Sequence, residues 1–283
     1  MTQYITACID GQHYSKAVVD LAGWTAQRLE TPLKLLHVLD KDRYQADSQL
    51  SGTIGLGSRE ALLKELSELD EKRSKLEIQH SKALLNDLES LVTDTGVPSV
   101  VKQQLHGHLV ETLLELEPEI RVLVLGKSGE LHQKDTKAIG SQLESVVRAF
   151  STHTLIANGD FSEPTEYLLA FDGSDTSQKL VQKAIDTPLL KGMTCHLVMV
   201  EDADNKRDAF ESAAETLSNA GIHVTQVCLT GSVSSAILQY QQEKSIGMIV
   251  MGAYGHSKLR QFFVGSNTTR LLLDATVPVL LIR

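Results

Sequence analysis

The chain has 283 residues, 42% of them hydrophobic and 22% charged, with a formal net charge of −9. That length suits two domains of ordinary size. The acidic balance excludes the basic footprint that nucleic-acid binding requires, and no apolar run reaches the length of a membrane span.

In chain order, the first apolar strand is Tyr4 to Ile9, followed by an acidic turn, Asp10-Gly11, and a helix from about Ser15. A second strand covers Leu33 to Leu39. A polar loop, Lys41 to Ser58, then leads into a long helical pattern from about Arg59 to Asp94. Its leucines at 62, 66 and 69, then 84, 85, 88 and 91, have helical spacing. The middle, Asp70 to Lys75, is almost wholly charged, which predicts a solvated face. Packing on its own sheet is the expected role of this helix, with a partner-helix role as the alternative. A third strand, Val97 to Leu105, ends at a turn glycine, Gly107. A helix and a fourth strand, Val122 to Leu125, come next, then a glycine loop, a helix and a last strand, Thr154 to Ala157.

The same series then starts again. Tyr167 to Phe171 is a strand ending in Asp172-Gly173-Ser174, with Ser177 where the first unit has Ser15. Strands follow at Thr194 to Val200, His223 to Leu229, Met248 to Met251 and Val277 to Ile282. One helix, about Lys206 to Ala220, stands where the first unit has its long segment. Strands alternating with helices imply parallel βαβ units. The expected fold is α/β, with two tandem open-sheet domains, 1–159 and 160–283. Each is a five-stranded parallel sheet flanked by helices, Rossmann-like in layout. The short linker is Asn158 to Pro164. The last-strand edges of the two units are open to pairing, within one chain or between two.

Chemistry concentrates at strand ends, where ligands bind in such sheets. In the second unit Gly252-Ala-Tyr-Gly255 is followed after nine residues by Gly265-Ser266, a G-x2-G-x9-G-S spacing between a strand and a helix. Free N–H groups and the helix dipole at such a helix start favour an anion. Lys258 and Arg260 add positive charge inside the loop. Each glycine taken singly is explained as a turn residue; the full spacing in its strand–loop–helix setting is not. In the first unit, Gly126-Lys-Ser-Gly129 is separated by ten residues from Gly140-Ser141. That intervening stretch is polar where the second unit has Leu259, Phe262 and Phe263.

Other signals carry less. Gly126-Lys127-Ser128 imitates the end of a P-loop, but position 121 is Arg and 122–125 reads as strand. His106-x-His108 has no third ligand nearby in sequence. Cys8, Cys195 and Cys228 fall in predicted strands without CxxC spacing, so buried reduced thiols are expected. The chain enters its first strand almost at once, so neither a signal peptide nor a location outside the cytoplasm is expected. Trp24, at helical spacing, reads as core. Ser174 and Ser177 read as helix-capping residues rather than nucleophiles.

Together, Ala170-Phe-Asp172-Gly-Ser, Gly231-Ser-Val, Met251-Gly-Ala-Tyr-Gly255 through Gly265-Ser266, and Val277-Pro-Val-Leu-Leu-Ile282 resemble the universal stress protein family in its tandem form. The resemblance covers nearly the whole chain apart from the extra length in the first unit. It implies the adenine nucleotide alpha hydrolase-like version of this fold, and an adenine nucleotide (ATP, or ADP or AMP, with Mg²⁺) as ligand. It also implies the site: Asp172 near the adenosine, Val200 at the adenine, and Gly252 and Gly255 along the ribose and phosphate approach. Gly265, Ser266 and Asn267 would hold phosphate oxygens. In the first unit the matching positions are Asp10, Val38, Gly126, Gly129, Gly140 and Ser141, of second rank because the loop register differs.

Three functions follow. The first is a nucleotide-binding stress or signalling protein in which nucleotide would stabilise one conformation or oligomeric surface, with a homodimer and a client protein as candidate partners. The second is a slow ATPase. The third is an interaction module without nucleotide. No catalytic residue and no metal ligand is assigned.

Overall fold

The computed structural model describes residues 2–11, 14–39, 56–93, 95–127, 141–200, 206–252 and 266–283. The first repeat runs β1 (Tyr4–Ile9), α1 (Ser15–Arg28), β2 (Leu33–Leu39), α2 (Leu56–Thr93), β3 (Val100–His106), α3 (Leu109–Leu116), β4 (Ile120–Gly126), α4 (Ser141–Ala149) and β5 (Thr154–Ala157). The second runs β6 (Glu166–Phe171), α5 (Asp175–Asp186), β7 (Thr194–Val200), α6 (Arg207–Asn219), β8 (Val224–Leu229), α7 (Val233–Lys244), β9 (Met248–Gly252), α8 (Ser266–Asp274) and β10 (Val279–Ile282). Short 3-10 turns at Glu117–Glu119 and Pro188–Leu190 complete the pattern.

The strands form one ten-stranded sheet in the order β3-β2-β1-β4-β5-β10-β9-β6-β7-β8. Each repeat is parallel throughout, and the repeats meet through an antiparallel pair, with Leu155 opposite Leu280 and Ile156 opposite Val279. The two last strands therefore cover each other's edges within the chain. Burial follows position in the sheet. Central β9 is buried at Met248 to Met251, as expected for a strand covered on both faces. Outer β3 is partly or fully exposed along its length and carries Lys102, Gln103 and Gln104, polar residues that discourage pairing at a free edge.

Two apolar layers cover the faces, and each crosses from one repeat to the other. One holds Leu155, Ala157, Leu280 and Ile282 with residues of α1, α2, α5 and α6. The other holds Ile156, Val279 and Leu281 with residues of α3, α4, α7 and α8. Polar ties reinforce the junction. The Trp24 indole N–H donates to Glu163 Oε1 at 3.0 Å, and its ring tilts against Phe161 at 5.7 Å. Asn158 Nδ2 donates to the Val277 carbonyl at 3.2 Å.

The long helix packs on its own sheet through its C-terminal end, and its charged middle is exposed. Among the described side chains of α2, those that are buried on the sheet lie in its last turns: Ser81, Leu85, Leu88 and Val92. Further back, Leu69 and Leu76 remain 55% and 65% exposed. Ion pairs one turn apart, Lys75 with Glu71 at 2.7 Å and Arg73 with Glu77 at 3.3 Å, line the exposed stretch. Such pairs one turn apart support a solvated helix.

The cysteines also divide. All three are free, and Cys195 is buried as expected, whereas Cys228 on outer strand β8 is exposed. Burial pushes the Cys8 and Cys195 thiols up to about 12, and the neighbouring Asp10 charge adds to the Cys8 shift. The thiolate is the reacting form. One rapid equivalent of a thiol reagent should therefore be consumed by the native protein at Cys228, and three after denaturation. Fast loss of two or more thiols from the native state would contradict this arrangement.

Candidate functional site

The strand order of each repeat reverses beside its first strand, between β1 and β4 and between β6 and β9. Crevices at such reversals, at the carboxyl ends of the strands, are where open α/β sheets bind ligands. Because β5 and β10 run antiparallel, the two reversal points open at opposite ends of the strands.

In the second repeat a cleft of about 220 Å³ lies at this point. β6 delivers Asp172 to its rim. Asp172 Oδ1 accepts from the Ser174 backbone N–H at 3.0 Å and from Ser174 Oγ at 2.6 Å. Gly173 turns between them with φ +74, a left-handed conformation that glycine adopts without a Cβ penalty. Ser174 then caps α5: its Oγ accepts from Ser177 N–H at 3.2 Å, and Ser177 Oγ donates to the Ser174 carbonyl at 2.8 Å. These hydrogen bonds define the geometry of the turn.

β7 contributes Val198 and Val200, and β9 contributes Met251 and Gly252. Thr176 and Leu180 from α5, Val233 and Ile237 from α7, and Leu271 from α8 complete the described lining. The walls are apolar, and Asp172 stands at the polar end. Of the sequence-predicted residues, Asp172, Val200 and Gly252 thus come together in one cleft. Ser266 and Asn267 open α8. Gly255 and Gly265 lie outside the described residues. In the first repeat Asp10 follows β1, Val38 lies in β2, Gly126 ends β4 and Ser141 opens α4. Gly129 and Gly140 lie outside the described residues. Arg121 lies within β4, so no P-loop ends at Gly126.

Sequence reasoning missed Thr176, Val233, Ile237 and Lys206. In the sequence Ser177 beside Thr176 reads only as a capping residue, Val233 belongs to the Gly231-Ser-Val stretch without a site role, and Ile237 carries no signal. Lys206, the N-cap residue of α6, lies far along the chain from the Asp172 turn. Its aliphatic stem nevertheless covers Gly173: a Cβ there would lie 2.9 Å from Lys206 Cδ.

Partial burial pushes the pKa of Asp172 up, but hydrogen bonds from Ser174 and Ser177 and the Lys206 charge outweigh it. The net effect holds the carboxyl below its ordinary value. A depressed folded value means that the ionised group stabilises the fold above the unfolded value, about 3.9. That contribution disappears as pH falls through the folded value. Wild type should therefore melt above Asp172→Asn at pH 7, and the gap should close below about pH 4. Melting curves from pH 7 to pH 3 test this; a constant gap would place the effect elsewhere.

Fold and cleft define a tandem open α/β protein with a crevice at the strand reversal of its second repeat. The chain belongs to the universal stress protein family, whose model matches residues 1–158 and 167–283. It is 32% identical over 284 residues to universal stress protein Slr1230 of Synechocystis sp., covering 99% of both chains. The structure of a universal stress protein from Archaeoglobus fulgidus superposes with a TM-score of 0.71 over 99% of this chain and 98% of its own, at 18% identity. The likeness to that structure is one of fold. Another universal stress protein, 18% identical over 43% of this chain with a TM-score of 0.38, has been solved in complex with cAMP.

Proposed function

We propose that the second repeat binds an adenine nucleotide, ATP in the first place, and that the protein responds to nucleotide within a stress response. The observation that carries this reading is the convergence of Asp172, Val200 and Gly252 on one cleft at the strand reversal. Val198, Val200, Met251 and Leu271 offer an apolar slot suited to a flat base. The Asp172 carboxylate can accept hydrogen bonds from ribose hydroxyls. The start of α8, at Ser266 and Asn267, has the free N–H groups and dipole that suit phosphates. Gly252, Gly255 and Gly265 would let the backbone approach the phosphate chain, and Mg²⁺ would accompany it as counter-ion. Occupancy would favour one conformation or one client-binding surface, by the ligand's difference in affinity between states.

Calorimetric titration of nucleotide-stripped protein with Mg²⁺ and ATP should show saturable binding. No heat with ATP, ADP or AMP would overturn the reading. Release of phosphate in the same samples would move the protein from sensor to slow ATPase.

A further inference from the structure

The first repeat carries the same acidic turn as the second, with identical spacing: Asp10-Gly11 to Tyr14-Ser15 against Asp172-Gly173 to Thr176-Ser177. The environments of the two turns differ at two places. In the second repeat Thr176 lines the cleft beside Gly252, and a Cβ added to Gly252 would lie 3.7 Å from Thr176 Cγ2, an ordinary contact. In the first repeat Tyr14 stands at that position. A Cβ added to Gly126 would lie 2.9 Å from Tyr14 Cβ and 3.6 Å from its Cγ. The tyrosine therefore presses directly on the end of β4, and it is packed against the apolar layer rather than extended into water.

The second difference lies above the turn glycine. Gly173 is covered by the stem of Lys206, whose charge acts on Asp172. Gly11, with the same φ of +74, is covered by Leu84 of α2, whose Cδ2 would lie 3.1 Å from an added Cβ. Leu84 is also packed on that apolar layer. A small residue and a cation in one repeat are thus replaced by an aromatic ring and a leucine in the other. The helix ends differ accordingly: Ser174 caps α5 through its side chain, whereas Tyr14 is the N-cap residue of α1 and makes no side-chain cap.

We propose that Tyr14, backed by Leu84, fills the strand-end cleft of the first repeat, so that the chain carries one nucleotide and carries it in the second repeat. The proposal rests on the nucleotide reading above. An aromatic side chain has about 150–250 Å² of surface, enough to fill the space beside Gly126 that corresponds to the phosphate approach at Gly252 in the second repeat. Tyr14 is then the specificity-determining residue that separates the two repeats.

The test counts ATP equivalents bound per chain, by titration with Mg²⁺ and ATP, in the full-length protein. Wild type should bind one and Gly252→Val none. Tyr14→Thr, which copies the second repeat, should bind two, and Tyr14→Phe, which keeps the ring, should stay at one. Adding Gly252→Val to Tyr14→Thr should leave one. The equivalent retained by the second repeat shows that the Tyr14→Thr protein is folded; Tyr14→Val carries the same test if it is not. Two equivalents in wild type, with one surviving Gly252→Val, would overturn the plug. So would a folded Tyr14→Thr protein that still binds one. No binding by wild type, with one equivalent gained by Tyr14→Thr, would overturn the reading of the second repeat and uphold the plug. No binding by any variant would overturn both.

Discussion

Gly252→Val should lower ATP affinity by roughly a hundred-fold or more, about 2.7 kcal/mol, while leaving the protein folded. The residue ends β9 and lines the cleft. The space beside its Cα is graded. A single Cβ would make ordinary contact with Thr176 at 3.7 Å, so Gly252→Ala should cost only a few-fold in affinity. Valine adds two further methyl groups, which would enter the cleft that Gly252 lines. The Asp172–Ser174–Ser177 hydrogen bonds fix the start of α5 opposite, so the clash falls on the ligand's space. Stability should change little, because valine suits a strand. Titration and melting of both variants distinguish these effects. Wild-type affinity in Gly252→Val would remove Gly252 from the site, and a collapsed melting point would make it a packing residue instead.

The largest effect on stability is expected from Leu155→Ala. Leu155 is fully buried on β5, opposite Leu280 of β10, in a layer shared by both repeats. Deleting such a side chain removes its transfer free energy and leaves a cavity, about 2–5 kcal/mol in all. Because strands and helices of both repeats line the same layer, the loss should lower the stability of the whole sheet. Trp24, the single tryptophan, reports the first repeat, and nucleotide binding reports the second. In urea the two signals should fall together, in wild type and at lower denaturant in the variant. Separate transitions, with only the first displaced, would show that the repeats unfold independently and that the antiparallel junction couples them weakly.

Much of this architecture was legible along the chain. Apolar runs such as Met248 to Met251 announce strands buried on both faces, and the doubled series of strands and acidic turns announces two repeats. Asp172 and Gly252 were legible as residues at strand carboxyl ends, and Val200 through the family resemblance. A turn acid, a strand's last residue and a glycine ending a strand all map to the carboxyl end of a parallel sheet, and the fold brings those ends together. Strand limits were less so: the third strand reads from Val97 but begins at Val100, because an apolar residue before a strand can pack without joining the ladder.

What the sequence determined by itself is local and periodic: which segments are strand or helix, that the series repeats, and which residues stand at strand ends. Hydrophobic period and turn chemistry act between near neighbours, so they can be read without coordinates. Only the tertiary structure decided which strands became shared edges, that α2 packs through its C-terminal end, and that Lys206 covers one turn glycine while Leu84 covers the other. It also set Tyr14 against the end of β4, where Thr176 leaves the second repeat open. Those contacts join residues far apart in the chain, and they are fixed by the packing of helices across a continuous sheet, which no local pattern encodes.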